Sequence, residues 1–425
     1  MKNALFVIFM AISSFTLAQK IDFDTYFQDK VLRFDYLHAG NANISTYYFL
    51  QLKEQPFYGG TKTNLIDTFN FGEYRFLIFD SASNLLIYSR GFGTLFNEWQ
   101  TTPEAQVLNK SFNEVLILPY PKKTIKLVIQ ERDKKLVFQQ KFQMYINPEN
   151  YFINADILPA YKVNKTVNNG DPSKMVDLVF LSEGYAASEM KKFNTDVAKF
   201  VETLFSYEPY KKMQKKFNIW AVEVPSVQSG TDIPGDNVWK NTAFNSTFYT
   251  FDSERYLTTS YLNLVHDAAA CVPFDQIFIL VNTSKYGGGG IYNYYNVTVS
   301  DHAAAQQVFI HELGHGFAAL ADEYYTSDVA YENYFDLNVE PFQANITTLV
   351  NFDSKWKNLL DKNTPIPTPD TPEFSGKTGV FEGGGYNAKG IYRPMQNCLM
   401  KSFSTNAFCP VCTETIKKMI RFYTE

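Results

Sequence analysis

The chain has 425 residues with a formal net charge of −5, and 45% of it is hydrophobic and 16% aromatic. That length suggests two or three domains with enough apolar content for substantial cores. The acidic balance argues against nucleic acid or an anionic membrane surface as a partner, and 28 tyrosines with 38 phenylalanines favour strand-rich structure.

In chain order, Lys2 precedes an apolar run over 4–12 and then Ser13-Ser14-Phe15-Thr16-Leu17-Ala18. This predicts a signal peptide over 1–18, too short for a stable membrane span. The expected product is an exported protein, periplasmic or extracellular, with no membrane span in its mature chain. From 19 to about 150 the pattern has period two. Segments 74–80 and 84–89 read as one hairpin and 124–130 with 135–142 as another, and strands are expected near 33–36 and 45–51. Several short strands without helical periods predict a β-sandwich accessory domain that carries no chemistry. Residues 151–174 are polar and irregular and read as a linker.

After 175 the texture changes. An apolar strand from Met175, a helical pattern over 187–207 and a strand from Phe217 make a strand-helix-strand unit, so 175–425 reads as an α/β domain. A further helix is expected over 256–271 and a strand over 274–282. The run Gly287-Gly288-Gly289-Gly290 lacks phosphate-binding spacing and is expected to be a flexible turn feeding a strand over 291–300.

The stretch that carries chemistry is His311-Glu312-Leu313-Gly314-His315. Histidines four apart on a helix point the same way, so both imidazoles can reach one zinc ion. Glu312, beside the first of them, is placed to take a proton from zinc-bound water and pass it to a leaving amine. Apolar residues on both sides of the motif predict a buried helix, where an unpaired imidazole is costly. A catalytic zinc normally takes three protein ligands. The chain has only five histidines, the others being His38, His266 and His302, so a carboxylate is expected. Asp322 is the best candidate, with Glu323, Glu332 and Glu340 competing. On an unbroken helix Asp322 would sit about 10 Å further along the axis, so the helix must end or turn soon after His315, with Gly316, Ala318 and Ala319 as the small residues available.

The segment H-E-L-G-H-G-F-A-A-L-A-D-E-Y resembles the active-site signature of the IgA-peptidase family of metzincin-like zinc endopeptidases. Softer likeness extends to R-G-F-G-T-L-F-N-E-W-Q-T-T from Arg90 and to R-P-M-Q-N-C-L-M from Arg393. The resemblance implies His311, His315 and Asp322 as ligands of one catalytic Zn2+, Glu312 as the base, and a protein or peptide substrate. Members often have glycine where this chain has Ala319. It further implies that Met400 lies on a turn forming an apolar floor beneath the zinc, and that the strand before the zinc helix lines the cleft and pairs with substrate at its free edge.

Beyond Tyr325 the chain is rich in loops, and 364–372 and 383–385 are expected to lack regular structure while shaping subsites. Tyr392, Tyr324 and Tyr325 are the candidates to polarise the scissile carbonyl. Cys398, Cys409 and Cys412 lie close in sequence and Cys271 is remote. C-L-M followed by C-x-x-C is similar to archaeal-type metzincins that hold a structural zinc, but a fourth cysteine is missing, and in an exported protein a disulfide from Cys398 to Cys409 or Cys412 is expected. The reading is an exported zinc endopeptidase with an N-terminal β-sandwich and a metzincin-like catalytic domain. Two others stay open: a non-catalytic glycan- or host-protein-binding protein on the same fold, and a zinc hydrolase of small amides, which would spare proteins. Immunoglobulin A as substrate is suggested by the family's name, and a zinc helix does not encode it.

Overall fold

The computed structural model describes residues 21–156, 158–325 and 335–425. The expected signal peptide and Glu332 lie outside them. Among the described residues no helix is long and apolar enough to cross a membrane.

The front half is two antiparallel sheets. A short helix α1 (Phe23–Tyr26) leads into β1 (Phe27–Asn41), which pairs with β2 (Ile44–Gln55) on one side and β5 (Lys110–Pro121) on the other. The second sheet runs β4 (Leu86–Phe92), β3 (Tyr74–Asp80), β6 (Ile125–Arg132), β7 (Phe138–Ile146). Both expected hairpins are present. In the first, Asn84 takes φ 55° in the turn, a conformation asparagine tolerates. Alternate residues of both sheets, Phe34 and Tyr36 with Phe76, Ile78, Leu127 and Ile129, meet in one core, as the period-two pattern requires.

Between β4 and β5 the chain forms α2 (Leu95–Gln100) and α3 (Pro103–Val107). Thr102 caps α3, its side chain accepting from the Ala105 N–H, with Pro103 in the first turn. These helices bridge the two halves, with Phe96 stacked on His38 of β1. Leu95, Phe96, Trp99 and Ala105 are buried in the core of the back half.

The back half is a six-stranded sheet in the order β12 (Gly288–Ile291), β13 (Tyr295–Val299), β11 (Gln276–Val281), β9 (Val176–Glu183), β10 (Phe217–Glu223), β8 (Lys162–Val167). The four inner strands are parallel and the two edges antiparallel. All eight residues of β9 are buried, as expected of a central parallel strand. Helices α4 (Met190–Leu204), α5 (Leu262–Ala269), α6 (Ala305–Ala318) and α7 (Pro410–Thr424) pack around the sheet. α4 and α6 meet through Phe200 and Phe309, whose rings lie 5.2 Å apart.

Three expectations are corrected here. β8 lies inside the expected linker: an edge strand needs only one apolar face, which Val163 and Val167 supply, so its polar composition hid it. The helix expected over 256–271 is confined to α5, because Tyr256 and Thr258 are held in β-bridges to Gly288 and Thr247. Gly383 to Gly385 belong to a hairpin, β14 (Phe381–Gly384) with β15 (Asn387–Arg393).

The halves are tied by a buried ion cluster. Arg33 of β1, 1% exposed, contacts Asp35 at 2.7 Å and Asp267 of α5 at 2.6 Å, and Lys53 reaches the same Asp267 oxygen at 2.8 Å. Backbone bonds cross as well: Gly93 N–H donates to the Tyr292 carbonyl at 2.8 Å.

Candidate active site

α6 buries Phe309, Ile310, Leu313 and Phe317, and that apolar face fixes its rotation so that His311 and His315 share a side. The helix stops where the spacing demanded. Ala319 takes φ 50°, ψ 33°, its N–H bonds the His315 carbonyl at 2.9 Å, and Leu320 N–H reaches back to Gly314 at 3.2 Å. This is a left-handed termination of the αL type, built on alanine where glycine is usual. Beyond it Asn345 clamps the chain, accepting from Ala321 N–H and donating to Ala321 C=O, both at 2.8 Å. The reversal brings Asp322 back over the histidines.

The three side chains converge. His311 Nε2 lies 3.0 Å from His315 Nε2 and 3.0 Å from Asp322 Oδ1, and His315 Nε2 lies 3.4 Å from the same oxygen. His311 Nδ1 faces the Leu399 carbonyl at 3.1 Å and His315 Nδ1 the Leu320 carbonyl at 2.6 Å. A carbonyl only accepts, so each Nδ1 carries the proton and each Nε2 presents a lone pair. Asp322 Oδ1 is buried and accepts no hydrogen bond. Three lone pairs thus face one point and call for a cation. Tetrahedral zinc with nitrogen and oxygen donors about 2.0–2.2 Å away sets those donors roughly 3.3–3.5 Å apart; the observed 3.0, 3.0 and 3.4 Å need to open by only a few tenths of an ångström to match. Without an ion a proton substitutes: burial pushes His315 down, but Asp322 overrides it and lifts it to about 9.

Glu312 lies beside this triad in a cavity of about 340 Å³. Burial raises its carboxyl above the usual range, against the pull of both histidines. The cavity wall explains the glycines. Gly288, Gly289 and Gly290 open β12 instead of a turn, and the strand lies directly on α6: a Cβ on Gly290 would stand 2.3 Å from the Glu312 carbonyl oxygen, and one on Gly288 would stand 2.6 Å from Val308. β12 is the sheet edge, yet Gly288 already bridges to Tyr256, so the edge expected to be free is partly occupied.

Of the tyrosines named from sequence, Tyr324 lines the cavity. Tyr325 packs instead against Gly383 and the Arg393 guanidinium. Tyr392 lies on β15, exchanging backbone bonds of 2.8 and 3.0 Å with Thr347, and is not among the lining residues. Sequence reasoning missed Tyr386, whose hydroxyl donates to Asp322 Oδ2, and also Arg255 and Tyr286 on the opposite wall. It missed Glu98 too, which comes from α2 in the half expected to carry no chemistry and accepts from the Tyr256 hydroxyl. Only the glycines following Tyr286 and those preceding Tyr386 signalled closely packed backbone there.

Met400 is buried under α6 with its sulfur where a Cβ on Gly314 would come within 2.7 Å, and its carbonyl accepts from Glu323 N–H at 2.8 Å. The competing carboxylates lie elsewhere: Glu340 accepts from Asn351 N–H at 2.8 Å, and Glu323 turns toward the cysteines. His38 is stacked on Phe96 and Tyr47 in the front half. The expected disulfide is absent: all four cysteines are free, and Cys398 Sγ lies 3.8 Å from Cys412 Sγ, well beyond a bond of about 2.05 Å.

A sheet-borne helix presenting His-Glu-x-x-His, with a buried carboxylate closing the set, defines the class as a metallopeptidase. The comparison with family models agrees: IgA Peptidase M64 matches residues 165–373 and 370–420, and Peptidase M64 N-terminus matches 22–143. The chain belongs to the IgA peptidase M64 family and is, as a member, a peptidase. No curated protein matches it.

Proposed function

We propose that the chain is a zinc-dependent endopeptidase, exported by its first 18 residues, with His311, His315 and Asp322 holding the metal and Glu312 as general base. The observation that carries this is the convergence of two Nδ1-protonated imidazoles and an unsatisfied carboxylate oxygen within 3.4 Å. Bound there, zinc supplies Lewis acidity that polarises a peptide carbonyl and acidifies water.

The protein's own groups do the rest. Glu312, raised by burial, accepts a proton from the attacking water and delivers it to the leaving amine. Arg255, Tyr286 and Tyr324 line the wall of the cavity and supply donors for charge developing on the carbonyl oxygen. A second cavity of about 130 Å³ shares His315, Asp322, Gly290 and Tyr386 with the first. Spaces on two sides of the triad suit a substrate running through the cleft, which supports internal cleavage. We read the front sheets as a β-sandwich, with the catalytic unit beginning near β8 as a metzincin-like domain on a Met400 floor. The substrate is a protein or peptide; immunoglobulin A enters only through the family's name.

The test compares the mature chain with Glu312→Gln on a mixed protein library read by mass spectrometry, with metal content measured in parallel. The variant should keep its metal and lose activity about 10²–10⁴-fold. Full activity in the metal-loaded variant would overturn the assignment of Glu312. Hydrolysis of small amides alone would move the substrate class.

A further inference from the structure

Directly after Asp322 the next side chain, Glu323, points away from the cleft into a pocket of three sulfurs. Its ligand-capable oxygen and the Sγ atoms of Cys398, Cys409 and Cys412 all lie within 4.8 Å of one another. None of the four residues is more than 2% exposed. We propose that Glu323, Cys398, Cys409 and Cys412 bind a second metal ion, zinc by the chemistry of the donors, and that this site is structural.

The distances carry the geometry. Zinc–sulfur bonds of about 2.3 Å at tetrahedral angles place sulfurs roughly 3.8 Å apart, and an oxygen at about 2.0 Å lies roughly 3.5 Å from each sulfur. Cys398 and Cys412 Sγ are 3.8 Å apart, and Glu323 Oε1 is 3.2 Å from Cys412 Sγ and 3.9 Å from Cys409 Sγ. The surroundings suit thiolates. Cys409 caps α7 and Cys412 sits in its first turn, at the positive end of the helix. The Cys409 N–H donates to Cys398 Sγ at 3.2 Å and the Cys412 N–H to Cys409 Sγ at 3.4 Å. Glu323 Oε1 accepts from Asn345 Nδ2 at 3.0 Å, while Oε2 is buried and accepts no hydrogen bond, and a charged carboxylate buried in this way needs a cation. A disulfide would use two of the three sulfurs and leave a thiol facing that carboxylate.

Four protein donors close the coordination sphere, which marks a structural ion and not a catalytic one. Its position gives it a task. It fastens the segment carrying Asp322 to the segment carrying Leu399, whose carbonyl holds His311, and both to the start of α7. The site stands independently of the peptidase reading.

The experiment measures zinc per chain by elemental analysis and the spectrum of the cobalt-substituted protein, for wild type, His311→Ala/His315→Ala and Cys412→Ser. Wild type should hold two zinc ions and the double-histidine variant one. Cobalt in that variant should still give the near-ultraviolet thiolate charge-transfer band, and alkylation after denaturation in chelator should modify Cys398, Cys409 and Cys412. If Cys412→Ser does not fold, the double-histidine variant alone carries the test. A zinc-free double-histidine variant without the band, or an intact mass two hydrogens short with two of the three cysteines resistant to alkylation, would overturn the proposal. Wild-type metal content in the double-histidine variant would count instead against the cleft site.

Discussion

Tyr386 is the residue whose removal asks most of the cleft with least disturbance. Its hydroxyl donates to the Asp322 oxygen opposite the one facing the histidines, so it orients the carboxylate. Tyr386→Phe should weaken metal binding about 10–100-fold, measured by competition with a chromogenic chelator, while the unfolding temperature of the metal-free protein stays nearly constant. Away from the cleft, Asp177 is buried, with Oδ1 accepting from Trp220 Nε1 at 2.8 Å and Asn218 Nδ2 at 3.0 Å. Burial still wins and lifts its carboxyl from 3.8 to about 6. A carboxyl raised in the folded state stabilises fully below its unfolded value, and that contribution is lost as pH rises through the folded value. Wild type should therefore lose on the order of 2–3 kcal/mol between pH 4 and 7 from this group. Chemical denaturation of Asp177→Asn across that range should show the dependence flattened.

At the scale of elements, the end of α6 sets where the third donor falls. Ala319 holds a left-handed conformation that costs an alanine about 1 kcal/mol relative to glycine. Ala319→Gly should stabilise the protein by roughly that amount in urea unfolding with the cleft unchanged. Gly290→Ala should do the opposite, since its Cβ would meet backbone 2.3 Å away, forcing β12 off α6; proteolytic activity should fall at least tenfold, read against a peptide substrate. Helix α6 was legible because His-Glu-x-x-His states its chemistry and its period at once, and the reversal after His315 followed from helix geometry. The hairpins β3–β4 and β6–β7 were legible because each is two runs of strand-forming residues separated by a short polar turn segment. β12 and the β14–β15 hairpin were not, because glycine there answers to neighbours far away in sequence: α6 beside Gly290, the Tyr325 ring beside Gly383. Glu323 was read as a rival for the cleft, since sequence spacing does not say which way an extended segment aims successive side chains.

The whole molecule departs most from its sequence in the relation of its halves. Strand counts predicted an accessory sandwich joined by a linker, yet α2 sinks Phe96 and Trp99 into the back core and Glu98 into the cleft. Deleting 21–156 should yield insoluble protein, and Trp99→Ala in the full chain should cost about 3–5 kcal/mol, seen as one earlier unfolding transition shared by both halves. The last helix is drawn in too: Phe422 of α7 lies 5.3 Å from Phe69, and Asn64 donates to its carbonyl at 2.8 Å. The cleft is walled by a segment from the first quarter of the chain and steadied by the final helix. The contacts that finish the centre are therefore among the most distant in sequence and so among the slowest to form. On this topology a partly folded chain lacks the walls that would hold a substrate, so the cleft is completed late in folding.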